Sequence, residues 1–549
     1  MSLLSLKFWT LVAFLSISSI TLASQPYGEN IEPLNERPWL ADVEQEVGHL
    51  AHKKFLSTLY ERFSDQPLWS NPMARDELET QINVISLSGI SKEFEWRATV
   101  LQDARLASDW KIYDVFATDS LLALMSYNSL IAENGKRWLF GRGVDIEMPL
   151  PGFQQISQLV NDIDRKNLYP FIDALRPEPE QYWAMVKAII GFQELEPLHW
   201  PLFNQKGLIK PGVRLKQPEA LITSLMRHGV LDIPVARSLI INGDEKYGPE
   251  LRAAVELFQS RHGLKADGVI GDQTRKWLNK TVNERIKILA LNMERMRLWP
   301  SDRDRVIYVN IPGYEMNLWI DKKVALSSKV VVGRPSRKTP LFNAHMDSVV
   351  FNPHWNVPVK IMRKDILPKA RKDLEYLKKN RYRILDGWYK SKEIPIDQID
   401  WATYKPHTFP YRLQQAPGKK NALGLVKFNI PNNNAIYLHD TPSKSLFNEG
   451  MRAFSSGCIR VEQSNELAEL VLNHSGLDSA SYQRYQKSFT TKFISLKRKF
   501  DVHAIYQTAW VNAAGNVEFR DDVYKYDVAP AFEHHQLDWP PALLTQNKL

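Results

Sequence analysis

Cys458 is the one cysteine in a chain of 549 residues. It stands in the run Phe454-Ser455-Ser456-Gly457-Cys458-Ile459-Arg460-Val461, behind residues small enough to let a substrate approach the backbone. A thiol attacks as its thiolate, which a nearby cation or a helix N-terminus stabilises. A helical pattern at Leu467, Leu470 and Val471 follows Cys458, so the free N–H groups of that helix are expected to favour the thiolate. A lone cysteine is also an ordinary small core residue; the serines and glycine ahead of this one favour reactivity.

A nucleophilic thiol needs a base. His439 lies 19 residues upstream, at the end of an expected strand Ala435-Ile436-Tyr437-Leu438-His439. From a strand end it can face a turn that carries the thiol on the neighbouring strand. Spacing alone establishes no hydrogen bond, and isolated histidines are more often structural. Other chemistries are weaker. His345, His354 and the His534-His535 pair show no histidine-and-carboxylate pattern at metal-ligand spacing, so all four read as structural or exposed and no metal is expected. Gly333-Arg334-Pro335 lacks the Gly-Lys-Ser/Thr of a phosphate loop, and no cofactor is implied.

The elements that must hold this pair are β-rich. Runs at 306–311, 316–320, 329–333 and 348–351 read as strands. Strand character resumes at 425–430, and Pro431-Asn432-Asn433-Asn434 turns it into the strand ending at His439, a hairpin. Between them, residues 360–418 are charged, Pro-containing and partly helical, and read as an inserted flap. Residues 502–511 and 517–526, joined by Ala513-Ala514-Gly515-Asn516, read as a second hairpin.

The first half of the chain is helical in pattern. Phe55, Leu56, Leu59, Tyr60 and Phe63 recur at helix spacing, as do Leu121, Leu122, Met125 and Leu130. No catalytic pattern stands out there, and a scaffold is the expected role. Around 216–280, Pro249 suits a first helical turn, and Ala254, Leu257 and Phe258 are expected to share a face. Residues 283–298 form one more helix, with Ile286, Leu289, Leu291, Met293 and Met296 among charges.

The blocks Tyr437-Leu438-His439-Asp440 and Ser455-Ser456-Gly457-Cys458-Ile459-Arg460 together resemble the signature of L,D-transpeptidases with the YkuD-type catalytic domain. Val332-Gly333-Arg334-Pro335 with Thr339-Pro340, and Asn421-Ala422-Leu423-Gly424 with Phe428, are similar to further parts of that pattern. Many members have a histidine where this chain has Ser456; the base assignment to His439 is untouched, but a second candidate imidazole is lost. Residues around Tyr247 to Gly271 resemble a three-helix peptidoglycan-binding module. The order of parts, with Tyr506 to Trp510 and Phe519 to Tyr524 near the end, resembles the large Gram-negative (YcbB-type) branch.

The resemblance implies a substrate, the tetrapeptide stem of peptidoglycan, and roles for the neighbours of the pair. Cys458 attacks the third stem residue and His439 accepts the thiol proton, or the two rest as thiolate and imidazolium. The Asp440 carbonyl orients the imidazole. Backbone N–H groups around Gly457 and Cys458 hold the oxyanion. Arg460 binds a stem carboxylate or makes a structural ion pair, and Tyr437 and Ser456 line the substrate site or belong to the core. A 3→3 cross-link is the implied product, and carbapenem acylation of Cys458 is implied as well. The rivals are an L,D-carboxypeptidase or endopeptidase on the same site, and a non-catalytic wall-binding scaffold.

The fold class expected is therefore α+β and multidomain: 1–24 signal peptide or membrane anchor, 25–215 helical scaffold, 216–282 three-helix peptidoglycan-binding module, 283–304 linker helix, 305–475 mainly β catalytic domain with the 360–418 flap, and 476–549 a C-terminal segment with a β-hairpin. A single positive charge at Lys7, an apolar stretch at 8–23 and Thr21-Leu22-Ala23 before Ser24 fit export to the periplasm, or an uncleaved inner-membrane anchor. Lys and Arg exceed Asp and Glu to give a net charge of +9, but the basic residues are scattered, with only short runs such as Lys497-Arg498-Lys499, so peptidoglycan stems and glycan strands are the expected partners and nucleic acid is not. The oligomeric state is left open.

Overall fold

In the computed structural model, residues 37–527 are described, apart from 178, 199, 301, 389–390, 478 and 488–489. The expected signal or anchor at 1–24 and the His534-His535 pair lie outside the described residues.

Among the described residues, eight α-helices build the scaffold: α1 (Pro38–Val47), α2 (Lys53–Arg62), α3 (Pro72–Ser88), α4 (Lys92–Leu106), α5 (Trp110–Arg137), α6 (Phe153–Asp164), α7 (Leu168–Asp173) and α8 (Pro179–Leu195). Their starts are written in the sequence. The Asn71, Ser91 and Asp109 side chains each accept a hydrogen bond from the first turn they precede. The stretch Trp110–Arg142 is long and apolar enough to cross a membrane by length and composition, yet it is mostly buried inside the fold, as befits a core helix. It carries Asp119, whose carboxylate meets Arg97 at 2.8 Å and the Nδ1 of His52 at 3.0 Å with all three side chains buried. Those partners outweigh burial and hold Asp119 down at about 2.

Residues 216–282, expected to form the three-helix module, hold α9 (Pro218–Arg227), α10 (Ile233–Ile241), α11 (Pro249–Arg261) and α12 (Asp272–Leu278), one helix more than expected. On α11, Leu251, Ala254, Val255 and Phe258 are buried whereas Leu257 is exposed, so Leu257 lies off the predicted face. The next helix, α13 (Val282–Arg295), starts with a capping box between Thr281 and Glu284. It is no free linker. Ile286, Leu289, Ala290 and Met293 are buried, and the helix packs on α3 and α8. Burying a side chain such as Leu289 contributes roughly 1.5–3 kcal/mol, which places α13 in the scaffold core; sequence reading saw its charges and missed their burial.

Arg285 of α13 joins the module to the scaffold. It is fully buried and donates to His262 Nε2 at 3.1 Å and to His228 Nε2 at 3.3 Å. A guanidinium only donates, so both imidazoles must offer lone pairs and stay neutral. Burial first, and Arg285 next, push both histidines well below their ordinary value, while burial brings Arg285 itself to about 9. The unfolded chain therefore takes up protons below about pH 6.5 that the folded chain refuses. Stability is complete above that pH and is lost as pH falls, by up to about 1.4 kcal/mol per pH unit for each histidine. Urea midpoints measured at pH 7.5, 6.5 and 5.5 should drop at the lowest value; equal midpoints across the three would contradict this.

The second half folds around one sheet. Its strands are β1 (Val306–Asn310), β2 (Glu315–Ile320), β3 (Lys323–Gly333) and β4 (Phe342–Phe351); the flap contributes β5 (Trp355–Asn356), β6 (Tyr382–Leu385), β7 (Glu393–Ile394) and β8 (Arg412–Gln415); then follow β9 (Val426–Asn429), β10 (Leu438–His439), β11 (Ala453–Ser455), β12 (Ile459–Val461) and β13 (Lys492–Ile505). The main sheet runs β11-β3-β12-β10-β9-β4-β13-β1-β2, and a further β2–β3 pairing closes the circuit. Alternating residues such as Met316, Leu318 and Ile320 fill its interior.

The second hairpin is shorter than expected, with β14 (Ala509–Val511) paired to β15 (Val517–Phe519). Residues 502–505 belong instead to β13, whose register shifts between Ser495 and Phe500. The run Lys497-Arg498-Lys499 sits in that irregularity and masks the alternation of the strand. The flap has its own sheet, β5-β8-β6-β7, and its own core, including Met362, Leu367, Leu377, Ile384 and Leu413. Asn421 clamps its base, donating to the carbonyls of Pro353 at 3.0 Å and Ala416 at 3.0 Å.

Candidate active site

The hairpin β9–β10 lays Tyr437 and His439 beside the strand that follows the cysteine. The Asn432 side chain fixes its turn, accepting from Asn434 N at 3.0 Å and Ile436 N at 3.2 Å. β10 then runs parallel to β12, with Leu438 opposite Ile459 and His439 opposite Arg460, and Ile459 N donates to Tyr437 O at 3.1 Å. Leu438 and Ile459 point into the apolar interior. Strand alternation therefore turns Tyr437, His439, Cys458 and Arg460 to the other face together. Lys427 of β9, opposite His439, joins them.

Cys458 does not precede a helix directly. β12 comes first, and the helix Ser464–His474 begins only beyond it, so the expected help from helix N–H groups is absent. The turn before the cysteine is held from three sides. Gly457 adopts φ +123°, a backbone that side chains disfavour. Ser455 Oγ accepts from Gly457 N at 3.0 Å and donates to Cys458 O at 2.6 Å. Thr339 Oγ1 donates to Gly457 O at 2.8 Å, and Thr339 N donates in turn to the Tyr524 hydroxyl at 2.9 Å. The Gly457 N–H is thus engaged by Ser455, which leaves the Cys458 N–H as the backbone donor beside the thiol.

His439 Nδ1 lies 2.5 Å from Asp440 O. A carbonyl can only accept, so Nδ1 carries the hydrogen and Nε2 is left with its lone pair, as a base requires. The Asp440 carboxylate is fixed in turn by Leu425 N at 2.9 Å and by Lys444 at 2.6 Å. Burial, then Arg460, press the imidazole down to about 3. Burial likewise lifts the Cys458 thiol, against hydrogen bonds from Tyr437 and the charges of Lys427 and Arg460. The sulfur lies 3.9 Å from Ala435 O; it shares a face with the imidazole without a hydrogen bond to it, a looseness common before substrate arrives. Both shifts favour the neutral thiol and imidazole over the ion pair. Iodoacetamide alkylation of Cys458, followed by intact mass, should accelerate about tenfold per unit from pH 7 to pH 9 as thiolate accumulates; a rate already level at pH 7 would mean a resting thiolate.

Cations surround the pair. Lys427 Nζ stands 4.3 Å from the centre of the Tyr437 ring. Ser456 turns to two arginines, accepting from Arg337 at 2.8 Å and Arg334 at 3.4 Å. Arg337 also reaches into the flap to Asp365. Tyr437 packs against the flap core. Lys427 and Arg337 escaped sequence reading because each is one charge among many; only the β9–β10 register, for Lys427, and the Ser456 contact, for Arg337, single them out. Among the described residues no group of His, Cys, Asp and Glu could hold a metal.

A buried imidazole of fixed tautomer and a partly buried thiol thus lie on neighbouring strands next to the inserted flap. Residues 304–483 match the L,D-transpeptidase catalytic domain (YkuD), which supports an enzyme of that kind. Residues 225–278 match a "Putative peptidoglycan binding domain" and residues 54–189 a scaffold domain. A "Putative L,D-transpeptidase" of Haemophilus influenzae is 29% identical over 480 residues, 87% of this chain and 79% of that protein. A crystal structure of an L,D-transpeptidase from Xylanimonas cellulosilytica aligns over 55% of this chain and 99% of its own, at 13% identity and a TM-score of 0.14.

Proposed function

We propose that this protein joins peptidoglycan stems by 3→3 cross-links through a thioester on Cys458, in the periplasm, as the large Gram-negative branch of the family does. The observation that carries this reading is the shared face of Cys458, His439, Tyr437, Arg460 and Lys427, with the His439 lone pair unblocked. As Cys458 Sγ bonds to the carbonyl carbon of the third stem residue, its proton passes to His439 Nε2. The C–N bond to the terminal D-alanine breaks, and the departing amine takes the proton. The side-chain amine of a second stem then attacks the thioester, the C–S bond breaks, and the proton returns through His439 to the sulfur. The Cys458 N–H faces the developing oxyanion, and loss of such a donor typically costs about 3 kcal/mol. Arg460 and Lys427 suit the carboxylates that a stem carries. Keeping water out decides between transfer and hydrolysis, and the flap tied through Arg337 and Asp365 supplies that cover.

Incubation of the enzyme with disaccharide-tetrapeptides tests the reading. Dimers bearing a new amide between two third-position residues are the expected product. Free tripeptide alone, with acceptor present, would make it a carboxypeptidase. A covalent adduct of a carbapenem on Cys458 is expected by intact mass.

A further inference from the structure

The scaffold holds a cavity remote in sequence from the chemistry. It measures about 580 Å³ and is lined by Trp39, Tyr60, Trp69, Trp110 and Tyr113 among others, a size typical of small-molecule sites. Its walls are fixed from behind. Asp114 accepts from the Tyr60 hydroxyl at 2.6 Å and from Trp69 N at 2.9 Å. The Trp69 indole donates to Thr118 at 2.9 Å, and the Tyr113 hydroxyl donates to Glu79 at 2.7 Å. Tyr60, Trp69 and Tyr113 are nearly fully buried, so these bonds fix the floor of the cavity before any ligand arrives and leave Trp39 and Trp110 as the rings at its mouth.

Two features exceed what packing needs. Trp110 is 49% exposed at the start of α5, edge-on to Tyr113 with ring centres 5.7 Å apart. Two cations stand at the mouth: Arg75 over the Trp110 ring at 4.9 Å and Lys111 over the Trp39 ring at 5.8 Å. Among the described residues neither is within ion-pair distance of a carboxylate. Arg75 also donates to the Trp69 carbonyl at 2.6 Å; flat rings stack on the C–H faces of pyranoses, and cations without a carboxylate partner attract acidic substituents.

We propose that this aromatic cavity binds a wall glycan strand carrying carboxylates, a contact separate from the peptidoglycan-binding module. The choice of glycan rests on the cell-wall reading above; the cavity itself does not. On this view Trp110 and Trp39 hold the sugar rings while Arg75 and Lys111 meet the acidic groups.

The test uses the full chain labelled with 5-fluorotryptophan and a glycan freed of its stems by an amidase, which leaves a carboxylate on each lactyl group. The Trp39 and Trp110 fluorine resonances, assigned by substitution, should shift saturably. Titration followed at Trp39 should weaken at least tenfold in Trp110→Ala and less than threefold in Trp110→Phe, and neutral N-acetylglucosamine oligomers should bind at least fivefold more weakly than the acidic glycan. Resonances that stay still, or a Trp110→Ala affinity within twofold of the parent, overturn the proposal. Cross-linking of soluble tetrapeptides is measured in parallel and should stay within twofold in Trp110→Ala. If the parent binds glycan but makes no cross-links, the enzymatic reading fails and the cavity assignment stands.

Discussion

Cys458→Ala is expected to reduce cross-link formation on the order of 10⁴-fold or more while leaving the melting temperature unchanged. The sulfur is the atom proposed to form the acyl bond, and its side chain is only partly buried, so little packing is lost. His439→Ala should cost a comparable factor, since the proposed proton transfer from the neutral thiol runs through the His439 Nε2 lone pair. Because thiol and imidazole act as one unit, the double substitution should be no worse than the weaker single variant. Chromatographic counting of dimers from disaccharide-tetrapeptides decides it; Cys458→Ala enzyme that keeps more than about one per cent of parental dimers would remove the basis for an acyl-enzyme.

The next largest effect falls on a residue that touches no substrate. Gly424 has φ +63°, and a Cβ there would lie 2.2 Å from Asp440 Oδ2 and 2.6 Å from Asp440 Cβ. The carboxylate cannot swing aside, because Leu425 N and Lys444 hold it. Gly424→Ala combines a left-handed backbone with forced overlap, worth roughly 2–4 kcal/mol of stability. The strain also moves Asp440, whose carbonyl sets the His439 ring, and a displacement of that kind costs about 10²-fold in rate. Urea denaturation and dimer formation should fall together; loss of stability with full activity would detach Asp440 from the imidazole.

Much of the site was legible in the sequence because its parts are local. A single cysteine after small residues, and a histidine at a strand end beyond an Asn-rich turn, are readable from residue types. What could not be read depends on partners far along the chain. Cys458 looked helix-capped because β12 is only three residues long, too short to announce itself. The resting charge of the pair is set by burial and by Arg460, and neither is visible in spacing. Lys427 and Arg337 matter through register and through Ser456. In the fold, the charged surface pattern of α13 disguised a core helix, and the basic run inside β13 disguised a long strand.

The chain leaves the barrel at Phe351 and re-enters it at Val426, and those two residues are paired neighbours on adjacent strands. Everything between them, with its separate core and its Asn421 clasp, is therefore a cassette. Up to its Asn421 clasp it can be enlarged, trimmed or exchanged without breaking a rung of the ladder, whereas Gly424 and Leu425 beyond the clasp stay tied to Asp440. Evolution and engineers alike could retune what gains entry while leaving the reacting atoms where they are.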